Sequence, residues 1–405
     1  MVISFLFFIN YSKAQIYGCT DPMAENYNSS ATNNDGSCTY NIASIKPASS
    51  FNLDSNLTET SGLILWNNQL WTHNDSQDTN IYSLDTINGD LIQSYPLTGS
   101  FNNDWEEISH DDEYIYIGDF GNNSNGNRTN MKLLKINKNS LLIDVASIDT
   151  INFSYSNQTD LMPTGSNNTD FDCEAFIVTK DSIFLFSKQW ITNKTSVYSL
   201  PKTPGTYIAK LKSTYDVQGL ITGATYLEPK NIIVLTGYSK LLQPFLYLLY
   251  DFIGSDYFGG NKRKIDVSIP FHQVEGIVTT NGLKYYISNE YFTQPPYSTV
   301  PQKLHIIYLN AYLENYFYPL ITSIPEINLD DNFVIYPVTS SNLITIKTNN
   351  DLSQESYILT NQLGQAVLNG KLSNENPSIN ISSLSNGLYM LKIGRSEQSF
   401  KVLKK

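Results

Sequence analysis

The sequence predicts an all-β chain, in which a five-bladed β-propeller, with six blades as the runner-up, precedes a small C-terminal β-sandwich. Three observations carry this. Short apolar runs alternate with Gly, Asn, Ser and Thr, and only 16% of the 405 residues are charged. A three-strand pattern recurs through residues 41–318 at intervals of 45, 68, 48 and 53 residues. From residue 331 onward the strands shorten and Gly-centred turns separate them. Hydrophobic residues make up 41% and aromatics 13%, enough for a packed core and too much for a disordered chain. The net charge of −12 makes nucleic acid a poor partner.

The chain opens with the apolar stretch Val2-Ile3-Ser4-Phe5-Leu6-Phe7-Phe8-Ile9, followed by Ser12-Lys13-Ala14. That pattern reads as a secretory signal peptide over 1–14, cleaved near Ala14, although the basic start expected of one is missing. Past it, no apolar run reaches the ~18 residues a membrane helix needs. Export puts Cys19 and Cys38 in an oxidising compartment, where they are expected to close a small module over 15–40. Loop entropy makes such a staple worth about 3 kcal/mol. The segment resembles a short Cys-bracketed module found at the start of exported bacterial surface proteins. Asp21, Asn26 and Asp35 within it read as turn formers, with Ca2+ ligation as the alternative. Cys173, set among acidic and apolar neighbours, reads as a buried thiol.

In the repeat, Ser61, Glu106, Glu174, Thr222 and Glu275 each open a first strand. A second and a third apolar strand follow each, and fourth strands fit Leu91–Tyr95, Ile151–Tyr155, Tyr207–Leu211 and Lys264–Ile269. Sheets of about four strands repeating at this period are propeller blades, because one twisted sheet cannot bury both faces alone. The last blade lacks a fourth strand, and an orphan strand, Asn41–Ile45, precedes the first. Pairing the two would close the ring and remove its open edges.

First strands of propeller blades line the central channel. The register therefore points Ser61, Glu106, Glu174, Thr222 and Glu275 inward at one level, backed by the mostly small Gly62, Glu107, Ala175, Gly223 and Gly276. Three carboxylates in a narrow pore repel one another unless a cation joins them. Ca2+, which takes about 6–8 oxygen ligands, suits carboxylate, hydroxyl and water oxygens. A water-filled pore lining is the alternative. The order Ser/Glu/Glu/Thr/Glu resembles the axial calcium ring of the five-bladed calcium-activated nucleotidases (apyrases). The Asp-rich motif that opens the nucleotide site of that family has no counterpart here.

Second strands return to the rim where the first began. Residues at their ends surround the channel mouth and are the candidate ligand-binding set: His73, Asp75, Asp119, Asn122, Lys188, Trp190, Tyr238, Asn289 and Glu290. Asp104, Asp172 and His272 precede inner strands on the same face.

Residues 319–330, with two prolines, read as a linker to a unit over 331–405. That unit has a Tyr336-Pro337 opening, a Leu363-Gly364-Gln365 centre, a Leu384-Ser385-Asn386-Gly387-Leu388-Tyr389-Met390-Leu391 close and a Lys-rich end. These motifs resemble the C-terminal sorting domain of type IX secretion, with Val338-Thr339 in place of the usual Asn-Pro. The resemblance implies engagement of the type IX machinery through 331–405 and passage by way of the periplasm to the cell surface or the medium. The expected function is that of an exported propeller with an axial Ca2+, binding a glycan, peptide or surface partner at the mouth. The alternative is a Ca2+-dependent hydrolase of phosphoanhydrides or phosphoesters, apyrase- or phytase-like. No nucleophile elbow, zinc-protease helix motif or phosphate-cradling glycine loop is present to decide for catalysis.

Overall fold

A computed structural model describes residues 15–143, 145–296, 298–318, 334–347, 355–373, 377–393 and 399–405. The expected signal peptide at 1–14 and the linker at 319–330 lie outside the described residues. The chain divides into two compact units, Met1–Pro319 and Leu320–Lys405.

The first unit begins with the Cys19–Cys38 disulfide. Just before Cys19, β1 (Tyr17–Gly18) pairs in parallel with β2 (Asn33–Asn34) inside the loop. Two short strands follow, β3 (Ser44–Ile45) and β4 (Ser49–Asn52). The first four-stranded meander comprises β5 (Thr60–Trp66), β6 (Gln69–Asn74), β7 (Asn80–Leu84) and β8 (Leu91–Pro96). The second has β9 (Trp105–His110), β10 (Tyr114–Asp119), β11 (Lys132–Asn137) and β12 (Ile148–Tyr155), with the one-turn helix α1 (Lys138–Leu141) before β12. The third has β13 (Asp172–Val178), β14 (Ser182–Lys188), β15 (Thr195–Pro201) and β16 (Gly205–Tyr215). Next come β17 (Leu220–Leu227), β18 (Ile232–Tyr238), β19 (Pro244–Tyr250) and β20 (Asn261–Val267). The last meander is built from β21 (Val274–Thr279), β22 (Lys284–Asn289) and β25 (Lys303–Tyr308), with the hairpin β23 (Phe292–Gln294) and β24 (Ser298–Val300) inserted before β25. The helix α2 (Asn310–Phe317) ends the unit.

The inner strands of the meanders are buried almost continuously, as in a sheet covered on both faces, whereas outer strands such as β8 and β16 carry exposed residues. Strand β19, Pro-Phe-Leu-Tyr-Leu-Leu-Tyr, is buried throughout. The innermost strands touch in a cycle: β5 on β9, β9 on β13, β13 on β17, β17 on β21, and β21 back on β5. Sheets radiating from a common centre in this way give an all-β, propeller-like unit. Between neighbouring sheets lie apolar layers, such as Phe120, Phe153, Phe176 and Tyr198 between the second and third.

The edges close differently from the sequence expectation. Strand β4, not Asn41–Ile45, completes the last meander, pairing antiparallel with β25 (Ser50 opposite His305). The reason is Pro47, which breaks the N-terminal segment in two. The piece before it, β3, runs parallel to Asp266–Val267 of β20 instead. The 68-residue interval holds α1 and two loops, 120–131 and 156–171. Strands β12 and β16 pair in parallel, joining the second and third meanders at the rim into one eight-stranded sheet.

The second unit contains β26 (Val334–Tyr336), β27 (Thr339–Ser340), β28 (Leu343–Lys347), β29 (Ser356–Thr360), β30 (Ala366–Lys371), β31 (Ser378–Asn380), β32 (Gly387–Ile393) and β33 (Ser399–Lys404). They form a three-stranded and a five-stranded sheet around Ile344, Ile346, Leu359, Leu391, Ile393 and Val402.

Candidate metal centre and channel mouth

Register irregularities create the centre. In β9, Trp105 faces Asp119 and Glu107 faces Gly118, which leaves Glu106 as the extra residue. The same skip isolates Glu174 in β13, Thr222 in β17 and Glu275 in β21. In β5 it falls one step later, between Ser61 and Ile64. A bulge re-aims its extra side chain, and those of Glu106, Glu174 and Glu275 reach one cavity. Close approach of the strands requires small neighbours. A Cβ on Gly223 would lie 2.2 Å from Glu275 O, and one on Gly276 2.5 Å from Ser288 Oγ. Gly62 also has φ +64°, a conformation that favours glycine.

Glu107, the one large residue at that level, accepts the backbone N–H of Ile108 at 3.0 Å and of Ala224 at 2.7 Å. It ties the second meander to the fourth.

A cavity of about 180 Å3 opens at this centre, lined by Ser61, Asp75, Glu106, Asn123, Asn167, Glu174, Lys188, Trp190, Tyr238, Gln273, Glu275 and Glu290. Of the five residues expected in the ring, Ser61, Glu106, Glu174 and Glu275 are on its wall. Thr222 is not; its hydroxyl donates to Val274 O at 2.5 Å. Ser61 likewise donates to Glu106 O at 2.5 Å. Carboxylate oxygens of Glu106, Asp172 and Glu174, all buried, lie within 4.8 Å of one another.

Two donors set the orientation of Asp172: Asn122 N–H at 2.6 Å on Oδ1 and Trp190 Nε1 at 2.8 Å on Oδ2. Among the described residues Glu275 Oε2 and Asp75 Oδ1 are buried without a hydrogen-bond partner. Such orphaned anionic oxygens beside a carboxylate trio fit a hard cation, and the all-oxygen donor set suits Ca2+ rather than zinc.

The protein also supplies a cation of its own at this centre. Lys188, at the end of β14 and opposite Asp172, is buried with its ammonium on Glu174 Oε2. It also donates to the Tyr238 hydroxyl at 3.1 Å and lies 4.7 Å from the Trp190 ring centroid. Burial opposes its charge, but the carboxylates around it, Glu174 foremost, hold it protonated. One ammonium does not neutralise the group. Burial, then the Glu174 charge, pushes Glu106 well above the usual carboxylate range. Burial and Glu59 raise Asp75 to about 8, burial raises Glu290 to about 7, and burial and Asp172 raise Asp104 to about 6.

Of the nine mouth candidates, Asp75, Lys188, Trp190, Tyr238 and Glu290 line the cavity. The other four do not. Asp119 is ion-paired with Arg128 at 2.7 Å and Lys132 at 3.5 Å. Asn122 positions Asp172 and also bonds Phe171 O. His73 is wholly buried, edge-on to Trp105, and Asn289 bonds Pro301 O and His305. Asn123, in the segment after β10 that the sequence places at the mouth, lines the cavity as well, while Asn167 and Gln273 come from loops whose course the repeat does not encode.

In the Cys-bracketed module, Asp21 accepts from the Tyr40 and Tyr250 hydroxyls, Asn26 bonds Ser37 O and Thr39 N, and Asp35 accepts Ser37 N–H. Cys173 is a free, buried thiol.

The comparisons with known proteins speak to the tail. Residues 334–405 match the family model of the secretion system C-terminal sorting domain. The chain is a type IX secretion substrate. It is exported to the cell surface or the extracellular space, and its tail engages the type IX machinery. No helix among the described residues is long and apolar enough to cross a membrane. No curated protein matches the chain. Similar solved structures include PorZ, an essential bacterial surface component of the type-IX secretion system of Porphyromonas gingivalis. It is 12% identical over 85% of this chain, with a TM-score of 0.30, and the chain spans 45% of its length. The RRP9 WD40 repeats are 6% identical over 66% of this chain and 100% of theirs, with a TM-score of 0.38. Likeness at this level transfers nothing to this chain.

Proposed function

We propose that the exported chain is a five-bladed β-propeller that holds Ca2+ on its axis and binds an extracellular ligand, a glycan, peptide or surface partner, at the adjoining mouth. The blade count is supported by the cycle of innermost strands and by β4 completing the last sheet. One observation carries the metal: three buried carboxylates converge within 4.8 Å while Glu275 on the same wall has an unpartnered oxygen. Glu106, Asp172 and Glu174 would hold the ion, with Ser61 and Glu275 alongside. Bound there, it would offset the charge of the group and lock adjacent blades together.

Binding ranks above hydrolysis because the cavity wall carries a single cation among the described residues, Lys188, and Arg128 is engaged by Asp119. Phosphoryl transfer would need cations free to meet developing charge. Immobilised glycans and peptides probed with Ca2+-loaded and chelated protein test the reading. Ca2+-dependent capture is expected. Ca2+-dependent phosphate release from nucleotides without capture would favour the hydrolase.

A further inference from the structure

The position of Lys188 stands out when the meanders are laid over one another. The last residue of each second strand pairs one or two residues ahead of the bulge: Asn74 with Thr60, Asp119 with Trp105, Lys188 with Asp172, Tyr238 with Leu220 and Asn289 with Val274. Only the third places a cation there. Its ammonium sits on Glu174, one of the three carboxylates whose oxygens converge. A lysine buried to 3% exposure is costly unless paired, so the pairing with Glu174 is strong.

Resting on the proposed axial Ca2+, we propose that Lys188 is a resident counter-ion that the metal must displace from Glu174. The charge and the geometry both require this. A divalent ion drawn by Glu106, Asp172 and Glu174 meets an ammonium already on one of those carboxylates, and two cations at one buried carboxylate repel. Lysine has a flexible four-carbon stem, and a second seat is at hand. The Trp190 and Tyr238 ring centroids lie 4.7 and 5.2 Å from Nζ. Cation–π attraction to these faces holds an ammonium that has left Glu174 without sending it to bulk water. Lys188 thus sets metal affinity: it stabilises the metal-free centre and weakens Ca2+ binding by competition.

Calorimetric Ca2+ titration and thermal melting of the chelated full-length protein test this with Lys188→Met and Lys188→Gln; the glutamine keeps a donor for Glu174 if the methionine protein fails to fold. The expected result is Ca2+ binding at least about tenfold tighter in the variants, equivalent to about 1.4 kcal/mol. Their metal-free midpoints should fall below wild type, with the gap closing at saturating Ca2+. Equal or weaker binding in a folded variant overturns the proposal, making Lys188 a structural or positioning group. Silence from wild type with binding by the variants supports displacement while removing Ca2+ from the native protein. Silence from all three overturns both.

Discussion

The Trp190 indole N–H donates to Asp172 Oδ2 at 2.8 Å, placing an ultraviolet-absorbing ring against one member of the carboxylate trio. A luminescent lanthanide standing in for Ca2+ would therefore accept energy from Trp190. Tb3+ added to chelated protein and excited through tryptophan should luminesce, with excess Ca2+ quenching the signal. Trp190→Phe should remove most of the emission while shifting Ca2+ affinity by less than about tenfold, since one of the two donors to Asp172 remains.

Gly121 backs onto the same centre. A Cβ there would lie 2.1 Å from Glu106 Oε1 and 2.3 Å from Asp104 Oδ2. Gly121→Ala should push both carboxylates out of place, destabilising the fold by about 1–3 kcal/mol as overpacking does. Ca2+ affinity should fall with it, by calorimetry. A Gly121→Ala protein with unchanged affinity and melting point would mean that this wall yields freely.

Glu107 is expected to matter for stability without contributing to the mouth. Truncation in Glu107→Ala leaves the Ile108 and Ala224 amides without their acceptor, at about 1–3 kcal/mol each. Denaturant unfolding should show a loss of about 2–6 kcal/mol, and chelation should lower the midpoint of the variant as it does that of wild type.

Metal-free stability should be greatest between about pH 4 and 6.5, where two opposed titrations offset each other. His73 and His305 are buried with values pushed down to about 4 and about 3, so the unfolded chain takes up protons first. Stability present above about pH 6.5 is then lost as pH falls toward those values. Glu290 and Asp75 are raised to about 7 and about 8, so they favour the fold while protonated. That contribution is full below about pH 4 and is lost progressively as pH rises from there through 7 to 8. Ca2+ should flatten the alkaline limb alone. Melting curves from pH 4 to 9 with Ca2+ and with chelator check both limbs.

Strand existence was legible in the sequence because apolar runs and Gly-centred turns report burial directly. Repeat register was legible too: it picked out Ser61, Glu106, Glu174 and Glu275, which share one cavity wall. Thr222 shows the limit of that reading, since equivalent bulges can turn a side chain toward a backbone carbonyl as easily as toward the axis. Lys188 was legible as a mouth residue but not as a counter-ion, because strand pairing with Asp172 and the bulge at Glu174 together bring ammonium and carboxylate into contact. Asp172 was noted only for its face. Nothing periodic announces the parallel pairing of β12 with β16, and Pro47 moves the closing strand one segment later than the repeat predicts.

Calcium titration of chelated protein by calorimetry, on wild type beside Glu106→Gln and Glu174→Gln, tests the central claim most directly. One ion per chain is predicted for wild type, with a rise in melting midpoint, and binding at least about a hundredfold weaker in either glutamine protein. Absence of heat and of any midpoint shift in wild type, or full retention of binding in both variants, would contradict it.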